Sequence, residues 1–287
     1  MKVLKIIGKV IIVLFALVGM AFTFVFFGIK FGWTNLRGTI SERNMYFKNA
    51  EATGTGPQSG DSPSTTVVPA YPHYDWEDSD EWAVIDAALE RDQVTINQAA
   101  HDAGISPRLL LGGVIGEQFR FFTSERDSFK EYFEPLKILA SLTNTSYGIA
   151  GLKPATVAQI ENNLKDPTSV YYLGPNMANL ITYPVGSDIA TVQFQRITDT
   201  KNTYYSYLYA GLFMREIIAQ WSASGYDISQ RPDVLSTLYN LGFNHSIPKA
   251  DPSAGGAPIT IDGQTYSFGE LGNDFYYSDQ LRDVFPN

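Results

Sequence analysis

An uncharged run near the amino terminus constrains this chain more than any other feature. Residues 10–29 read VIIVLFALVGMAFTFVFFGI, which is 20 residues without a charged side chain. As a helix rising about 1.5 Å per residue, the run is about 30 Å long and matches the hydrocarbon core of a bilayer. A cleaved signal peptide is the alternative, but its apolar region is usually only about 7 to 15 residues long. Residues 1–33 are therefore predicted to be a retained membrane anchor, with Trp33 at the interface.

Basic residues flank the predicted span on both sides. They are Lys2, Lys5 and Lys9 before it, and Lys30, Arg37, Arg43 and Lys48 after it. Positive charge collects on the cytoplasmic side of a membrane span, and it is denser before this span than after it. The short amino terminus is therefore predicted to be cytoplasmic, with the rest of the chain outside the cell membrane.

The charge of the chain is divided unevenly. The formal net charge is −9, and residues 1–48 contain seven basic residues and one acidic residue. Residues 49–287 therefore carry −15. Because nucleic acid binding requires a basic face that displaces counterions, nucleic acid is not an expected partner.

Residue types exclude several kinds of site. The chain has no cysteine, which removes disulfides, cysteine zinc sites and thiol nucleophiles. His73, His101 and His245 are too scattered for metal-ligand spacing, so no metal site is predicted, although His245 could line a cleft. No phosphate loop, nucleophile elbow or dinucleotide fingerprint occurs in the sequence, and no cofactor is predicted.

The rest of the chain divides into a tether and a folded domain. Residues 34–77 are predicted to be a juxtamembrane segment and flexible linker, because residues 49–77 concentrate Gly, Pro, Ser and Thr. Residues 78–287 are predicted to form one mainly α domain with little strand.

Start and stop signals predict the helices of this domain. Capping-box spacing occurs at Asp78 with Glu81 and at Thr95 with Gln98, and Gly104 suits a helix end. Proline starts and apolar periodicity predict further helices, which begin at Ser106–Pro107, cover 130–142, 155–164 and 203–222, and run from Pro232 to Gly242. Two segments, 191–198 and 258–268, are predicted to be hairpin strands or loops, with Asp262–Gly263 as a turn.

Glu117 is a carboxylate at the end of an otherwise apolar helix. One interpretation is a solvated glutamate near a helix end. The other is a catalytic acid whose pKa is raised by apolar surroundings. In that case the preceding glycines, Gly112, Gly113 and Gly116, would let a bulky ligand approach closely.

Three short segments follow one another along the domain. They are ISPRLLLGGVIGEQ with Glu117, SYGIAGLKPAT with Ser146, Gly148, Pro154 and Thr156, and LYNLG with Tyr239, Asn240 and Gly242. In this order they resemble the signature blocks of the soluble lytic transglycosylase and goose-type lysozyme superfamily, which has a lysozyme-like α+β fold. The resemblance covers roughly residues 95–285. The chain departs from the family pattern at Gln118, where the family has Ser, and at Gly151, where it has Gln.

The resemblance implies an activity and a set of site residues. The implied enzyme is a membrane-anchored peptidoglycan lytic transglycosylase that cleaves the MurNAc–GlcNAc bond and leaves 1,6-anhydromuramyl ends. Glu117 is its implied catalytic acid, and peptidoglycan strands are its implied partner. Tyr239 would hydrogen-bond the glutamate or the substrate, and Asn240 would bind substrate or brace the fold. The residues implied to bind substrate are Gln118, Ser146, Tyr147, Gly148, Tyr239 and Asn240.

Two other functions are compatible with the same residues. Most glycosidases use two carboxylates, and a hydrolytic muramidase could take its second from Glu125, Asp127, Glu131 or Glu134 unless these form a solvated helix face. A non-catalytic glycan-binding or scaffold protein is compatible with the changes at Gln118 and Gly151. Several tyrosines could stack on sugar rings or pack internally: Tyr171, Tyr172, Tyr204, Tyr205, Tyr207 and Tyr209.

Overall fold

The computed structural model describes residues 71–123 and 148–287, and this part of the chain is mainly helical, as predicted. Its α-helices are α1 (Asp80–Arg91), α2 (Gln93–Ala103), α3 (Pro107–Thr123), α4 (Pro154–Lys165), α5 (Ile189–Thr198), α6 (Tyr204–Ala223), α7 (Pro232–Leu241) and α8 (Phe268–Tyr277). Two antiparallel strands, β1 (Pro258–Ile261) and β2 (Gln264–Ser267), precede α8. Short 3-10 turns lie at Asp75–Asp78, Met177–Leu180 and Phe243–His245.

The first two predicted helix starts are misplaced by a few residues. Ser79 caps α1 by accepting a hydrogen bond from the backbone N–H of Trp82 at 3.1 Å, because Asp78 is taken up by the preceding 3-10 turn. Thr95 lies inside α2, which follows α1 with only Asp92 between them. Asp92 precedes α2, but its side chain does not cap the helix. Its carboxylate instead accepts a hydrogen bond from Oγ1 of Thr203 at 2.8 Å, which is a tertiary contact.

Local signals elsewhere are confirmed. Gly104 ends α2 with a φ of 71°, a left-handed conformation that glycine adopts without a steric penalty. Oγ of Ser106 accepts from the N–H of Leu109 at 3.1 Å and so caps α3. The predicted Asp262–Gly263 turn joins β1 to β2 with a φ of 46° and 83°, which is typical of a tight hairpin.

The strand or loop prediction for residues 191–198 is wrong. This segment is part of α5, and Oδ2 of Asp188 caps it by accepting from the N–H of Thr191 at 3.1 Å. The alternation of β-branched and polar residues favours a strand, but the Asp188 cap outweighs it. Helix α8 was not predicted, although Ser267 and Glu270 form a capping box at its start.

Helix α6 is the centre of the domain, and α3 packs beside it. Thirteen of the 20 residues of α6 are buried, so this helix is enclosed on nearly all sides rather than along one stripe. Helix α3 contacts α6, α7, α8 and β1. A glutamate near the end of α3 is therefore carried into the interior rather than to the surface.

The glycines of α3 serve helix packing. A Cβ at Gly116 would lie 2.5 Å from the ring of Phe268 in α8, and one at Gly113 would lie 2.9 Å from Sδ of Met214 in α6. At Gly112 the nearest atom to a Cβ would be the carbonyl oxygen of Gly272, at 3.2 Å. The prediction that these glycines make room for a ligand is wrong, because neighbouring helices occupy the space.

The carboxyl-terminal end of the domain is held by a buried arginine. Arg108 of α3 is fully buried, and its guanidinium donates to the carbonyls of Tyr276 and Gln280, each at 2.8 Å, and also to the carbonyls of Phe275 and Ser278. These carbonyls belong to the last turn of α8 and the residues after it, which have no partners within the helix. Burial lowers the pKa of Arg108 to about 10, so it stays charged at neutral pH.

The packed part of the chain begins before residue 78. Trp76 is only 1% exposed, and its ring meets those of Trp82 and Phe119 edge-on. The segment predicted as linker therefore includes core residues at its end.

The predicted membrane span at residues 10–29 and the predicted helix at 130–142 lie outside the described residues. Within the part of the chain that the structure describes, no helix is both long and apolar enough to cross a bilayer.

Candidate active site

The three sequence segments meet at one open cleft, whose empty space of about 380 Å³ includes open solvent. Glu117 comes from the first segment, Gly151 and Thr156 from the second, and Tyr239 from the third. The described residues that line the cleft are Glu117, Gly151, Leu152, Lys153, Thr156, Phe213, Tyr239, Asn240, Leu241 and Gly242. Residues that lie over a hundred positions apart in the chain thus share one surface.

Glu117 is buried at the base of this cleft. Its exposed fraction is 4%, so the interpretation as a solvated glutamate at a helix end is wrong. Arg120, one turn further along α3, places Nη1 4.0 Å from Oε1 of Glu117 and lies over the ring of Phe268 at 5.1 Å. At that separation Arg120 can interact electrostatically with Glu117, while Nη1 and Oε1 are too far apart for a hydrogen bond between these two atoms.

A turn at residues 148–151, here called the glycine turn, covers one side of Glu117. Both Gly148 and Gly151 are left-handed, with a φ of 67° and 63°. The N–H of Gly151 donates to the carbonyl of Gly148 at 3.2 Å and closes the turn. A Cβ at Gly148 would lie 1.7 Å from the carbonyl oxygen of Ile197, and a Cβ at Gly151 would lie 2.6 Å from Oε2 of Glu117. Only glycine fits at either position.

Tyr239 holds the glycine turn from the other side of the cleft. Its hydroxyl donates to the carbonyl of Ala150 at 2.7 Å, and its ring packs edge-on against Phe213 with centroids 5.4 Å apart. The expected hydrogen bond to the glutamate or the substrate stays a prediction. Because Tyr239 is only 7% exposed, ordinary packing of its ring inside the domain also accounts for its position.

Asn240 braces the loop before the hairpin. Its Oδ1 accepts from the N–H of Ala257 at 2.9 Å, which fixes the orientation of the amide. Its Nδ2 is buried and has no hydrogen-bond partner among the described residues. Because Asn240 also lines the cleft, it offers a donor that is not used within this part of the protein.

Other predicted site residues do not reach the cleft or lie outside the described part. Gln118 is fully buried, and neither of its amide atoms has a hydrogen-bond partner among the described residues. Of the described residues, neither Gln118 nor Gly148 lines the cleft, so their predicted contacts with substrate gain no support from this geometry. His245 is exposed and is likewise not among the described lining residues. Outside the described residues lie Ser146, Tyr147, Glu125, Asp127, Glu131 and Glu134.

The abundant tyrosines mostly pack inside the domain. Tyr207 and Tyr209 are fully buried, and the hydroxyl of Tyr209 donates to Oε1 of Glu161 at 2.6 Å. Tyr171 stands edge-on to Phe243, with centroids 4.9 Å apart, and Phe243 in turn contacts the cleft residue Phe213. For Tyr207 and Tyr209, the stacking interpretation is excluded by their burial.

Sequence reasoning missed a cationic residue of the cleft and a buried carboxyl group outside the described cleft lining. Lys153 is the cationic residue among the described residues that line the cleft, and no local sequence pattern identifies it. Glu216 is a fully buried glutamate that lies one turn along α6 from Phe213 and outside the described cleft lining. Burial raises the pKa of Glu216 to about 9, while a hydrogen bond from Asn163 opposes that rise. Glu216 is therefore protonated at neutral pH.

Metal coordination and similarity to known proteins add no further assignment. Within the described ranges, no group of three or more histidine, aspartate or glutamate side chains could hold a metal ion. No protein-family model, curated protein or solved structure matches this chain. The resemblance to the lytic transglycosylases therefore rests on the residues of the three segments.

Proposed function

We propose that this protein is a membrane-anchored peptidoglycan lytic transglycosylase with Glu117 as its catalytic acid. The observation that carries the proposal is the meeting of the three segments at one cleft around a buried glutamate. Chance matches in three short segments have no reason to converge in space. The convergence links the acid of the first segment to the substrate-binding patterns of the other two.

The proposed reaction needs one carboxyl group in two successive roles. Glu117 donates its proton to the glycosidic oxygen as the bond from that oxygen to the anomeric carbon of the muramyl sugar breaks. The carboxylate then removes the proton of the muramyl 6-hydroxyl, whose oxygen bonds to the anomeric carbon. The proton returns to Glu117, and the products are a free hydroxyl end and a 1,6-anhydromuramyl end. Water is neither consumed nor released.

The lining of the cleft suits this single-acid scheme. Among the described lining residues, Glu117 is the one carboxylate, and the others are apolar, amide, hydroxyl or cationic. Most hydrolytic glycosidases use a second carboxylate within reach of the reacting carbon, and the candidates for that role, Glu125, Asp127, Glu131 and Glu134, lie outside the described residues.

The tether completes the proposal. Residues 10–29 would anchor the chain in the bilayer with the amino terminus inside, and the polar segment after them would let the domain reach the cell wall. A cytoplasmic domain would have no access to peptidoglycan strands, so the proposed activity requires the domain to be outside.

The deciding experiment is digestion of purified peptidoglycan by the full-length chain in detergent, with mass spectrometry of the released fragments. We expect 1,6-anhydromuramyl ends from the parent and none from Glu117→Gln. Glu216→Gln is the matched control, because it changes a buried glutamate that lies outside the described cleft lining. Fragments heavier by one water would identify a hydrolytic muramidase. Binding of peptidoglycan without release of fragments would identify a glycan-binding protein.

A further inference from the structure

The contact between the glycine turn and Glu117 has a functional consequence. Gly151 stands where the resembled family has glutamine, yet a Cβ there would lie 2.6 Å from Oε2, 2.7 Å from Cγ and 2.8 Å from Cδ of Glu117. Real Cβ atoms do not approach other heavy atoms so closely, so either the turn or the carboxyl group would have to move. In this protein the backbone at residue 151 touches the side chain of the acid directly.

The glycine turn is itself held at both ends. Gly148 packs against the carbonyl of Ile197, which also accepts a hydrogen bond from Oγ of Ser206 at 3.0 Å. The carbonyl of Ala150 accepts from the hydroxyl of Tyr239 at 2.7 Å. The turn therefore cannot retreat toward α5 without a clash at Gly148, and it cannot rotate without losing the bond to Tyr239.

From these contacts we infer that the glycine turn is the device that positions the carboxyl group of Glu117, and that Tyr239 is a positioning residue acting through Ala150. The expected effect on the reaction rate rests on the proposed function. The contact between the glycine turn and Glu117 does not. Gly151 leaves the acid room to lie against the turn, and Tyr239 keeps the turn there. The acid is thus placed by a backbone surface rather than by a neighbouring side chain at position 151.

The first test is a cycle of thermal melts in the full-length chain, which needs no activity. Gly151→Ala should lower the melting temperature through both its left-handed φ and the clash with Glu117. In a Glu117→Ala background the clash is gone, so the loss caused by Gly151→Ala should shrink. Gly174→Ala is the matched control, since its φ is 99° and nothing lies within 4 Å of its Cβ. Its loss should be the same in both backgrounds.

The second test is kinetic. A shift of the reacting group by about 1 Å can cost about 10²-fold in rate, so Gly151→Ala should reduce kcat by about that factor with little change in KM. Tyr239→Phe keeps the ring and removes the bond to Ala150, and it should also lower kcat more than KM. Its control is Tyr209→Phe, which removes a buried hydroxyl bound to Glu161.

The outcomes separate this inference from the proposed function. Equal losses of melting temperature for Gly151→Ala in both backgrounds would overturn the inference whatever the enzyme does. Parental kcat in Gly151→Ala or Tyr239→Phe, in a protein that Glu117→Gln inactivates, would overturn the inference and leave the proposed function standing. Should Gly151→Ala fail to fold, Tyr239→Phe carries the kinetic test. A parent that cleaves nothing would defeat the proposed function, while the melts would still decide whether the turn holds Glu117.

Discussion

Nδ2 of Asn163 in α4 donates a hydrogen bond to Oε2 of Glu216 in α6 at 2.7 Å, and this bond joins a fully buried carboxyl group to the helix beside it. The other carboxyl oxygen of Glu216 has no hydrogen-bond partner among the described residues. A buried carboxylate with one donor is poorly solvated, which is why burial holds this group in its neutral form.

The pH dependence of stability should reveal Glu216. Burial raises its pKa from the ordinary 4.5 to about 9, so the folded chain keeps a proton that the unfolded chain releases above pH 4.5. Stability from this group is therefore complete below about pH 4.5 and is lost progressively as the pH rises toward 9. Glu216→Gln should flatten that decline and raise stability at pH 8 by a few kcal/mol at most, at about 1.4 kcal/mol per pKa unit. Urea unfolding of parent and variant from pH 4 to 9 checks this; parallel curves would contradict it.

Glu117→Gln should separate activity from stability. The amide has nearly the same shape but can neither donate the acid's proton nor act as a base, so cleavage should fall by about 10²- to 10⁴-fold. The melting temperature should change little, because the amide removes the desolvation cost of a buried ionisable group but also removes the partner of Arg120. Wall digestion and thermal melts on the same samples measure both. A variant that cleaves at the parental rate would show that Glu117 is not the acid.

Arg108→Met should strongly destabilise the domain. The change removes the Arg108 donor from the Gln280 carbonyl and leaves Arg282 as the donor to the Tyr276 carbonyl, and it empties the buried space of the guanidinium, so we expect a loss of about 3 kcal/mol in the free energy of unfolding. Arg231→Met is the control, since its side chain is 43% exposed and its ion pair with Asp233 is worth about 1 kcal/mol or less. Denaturant titration compares the two. Similar losses would mean that Arg108 does not hold the end of the domain.

Trp76→Ala should show at which residue the folded domain begins. The residue lies in a segment predicted to be a linker, yet its ring is buried against Trp82 and Phe119. Truncation of a buried tryptophan costs about 3 to 5 kcal/mol, whereas Tyr71→Ala, at a side chain that is 37% exposed, should cost less than about 1 kcal/mol. Urea midpoints measure both. A negligible effect of Trp76→Ala on the urea midpoint would indicate that the domain begins at residue 78, as the sequence predicts.

The proposed topology predicts which part of the chain is accessible from outside. Protease added to intact cells whose wall has been removed should digest the domain, while a tag on the amino terminus is protected. Both ends are then probed by immunoblotting with antibodies against the tag and against the domain. Protection of the domain with loss of the tag would reverse the orientation. A mature amino terminus beyond residue 30 would indicate a cleaved signal instead.

Sequence alone determined those features that neighbouring residues decide. Pro107 and Pro232 open helices, Gly104 and Gly242 end them, and Asp262–Gly263 turns the hairpin, because each acts through its own backbone conformation. The same local rules failed at residues 191–198, where a cap and a strand-like pattern competed.

Only the tertiary structure decided what surrounds those elements. It decided that Glu117 is buried beneath Gly151, that Gly116 makes room for Phe268, and that Arg108 reaches the end of α8. The partners in these contacts come from 34 to over 160 residues along the chain, and no local pattern encodes which side chain will arrive. Burial, and with it the charge state of a group such as Glu216, is a property of the packed whole because it depends on all the neighbours that exclude water.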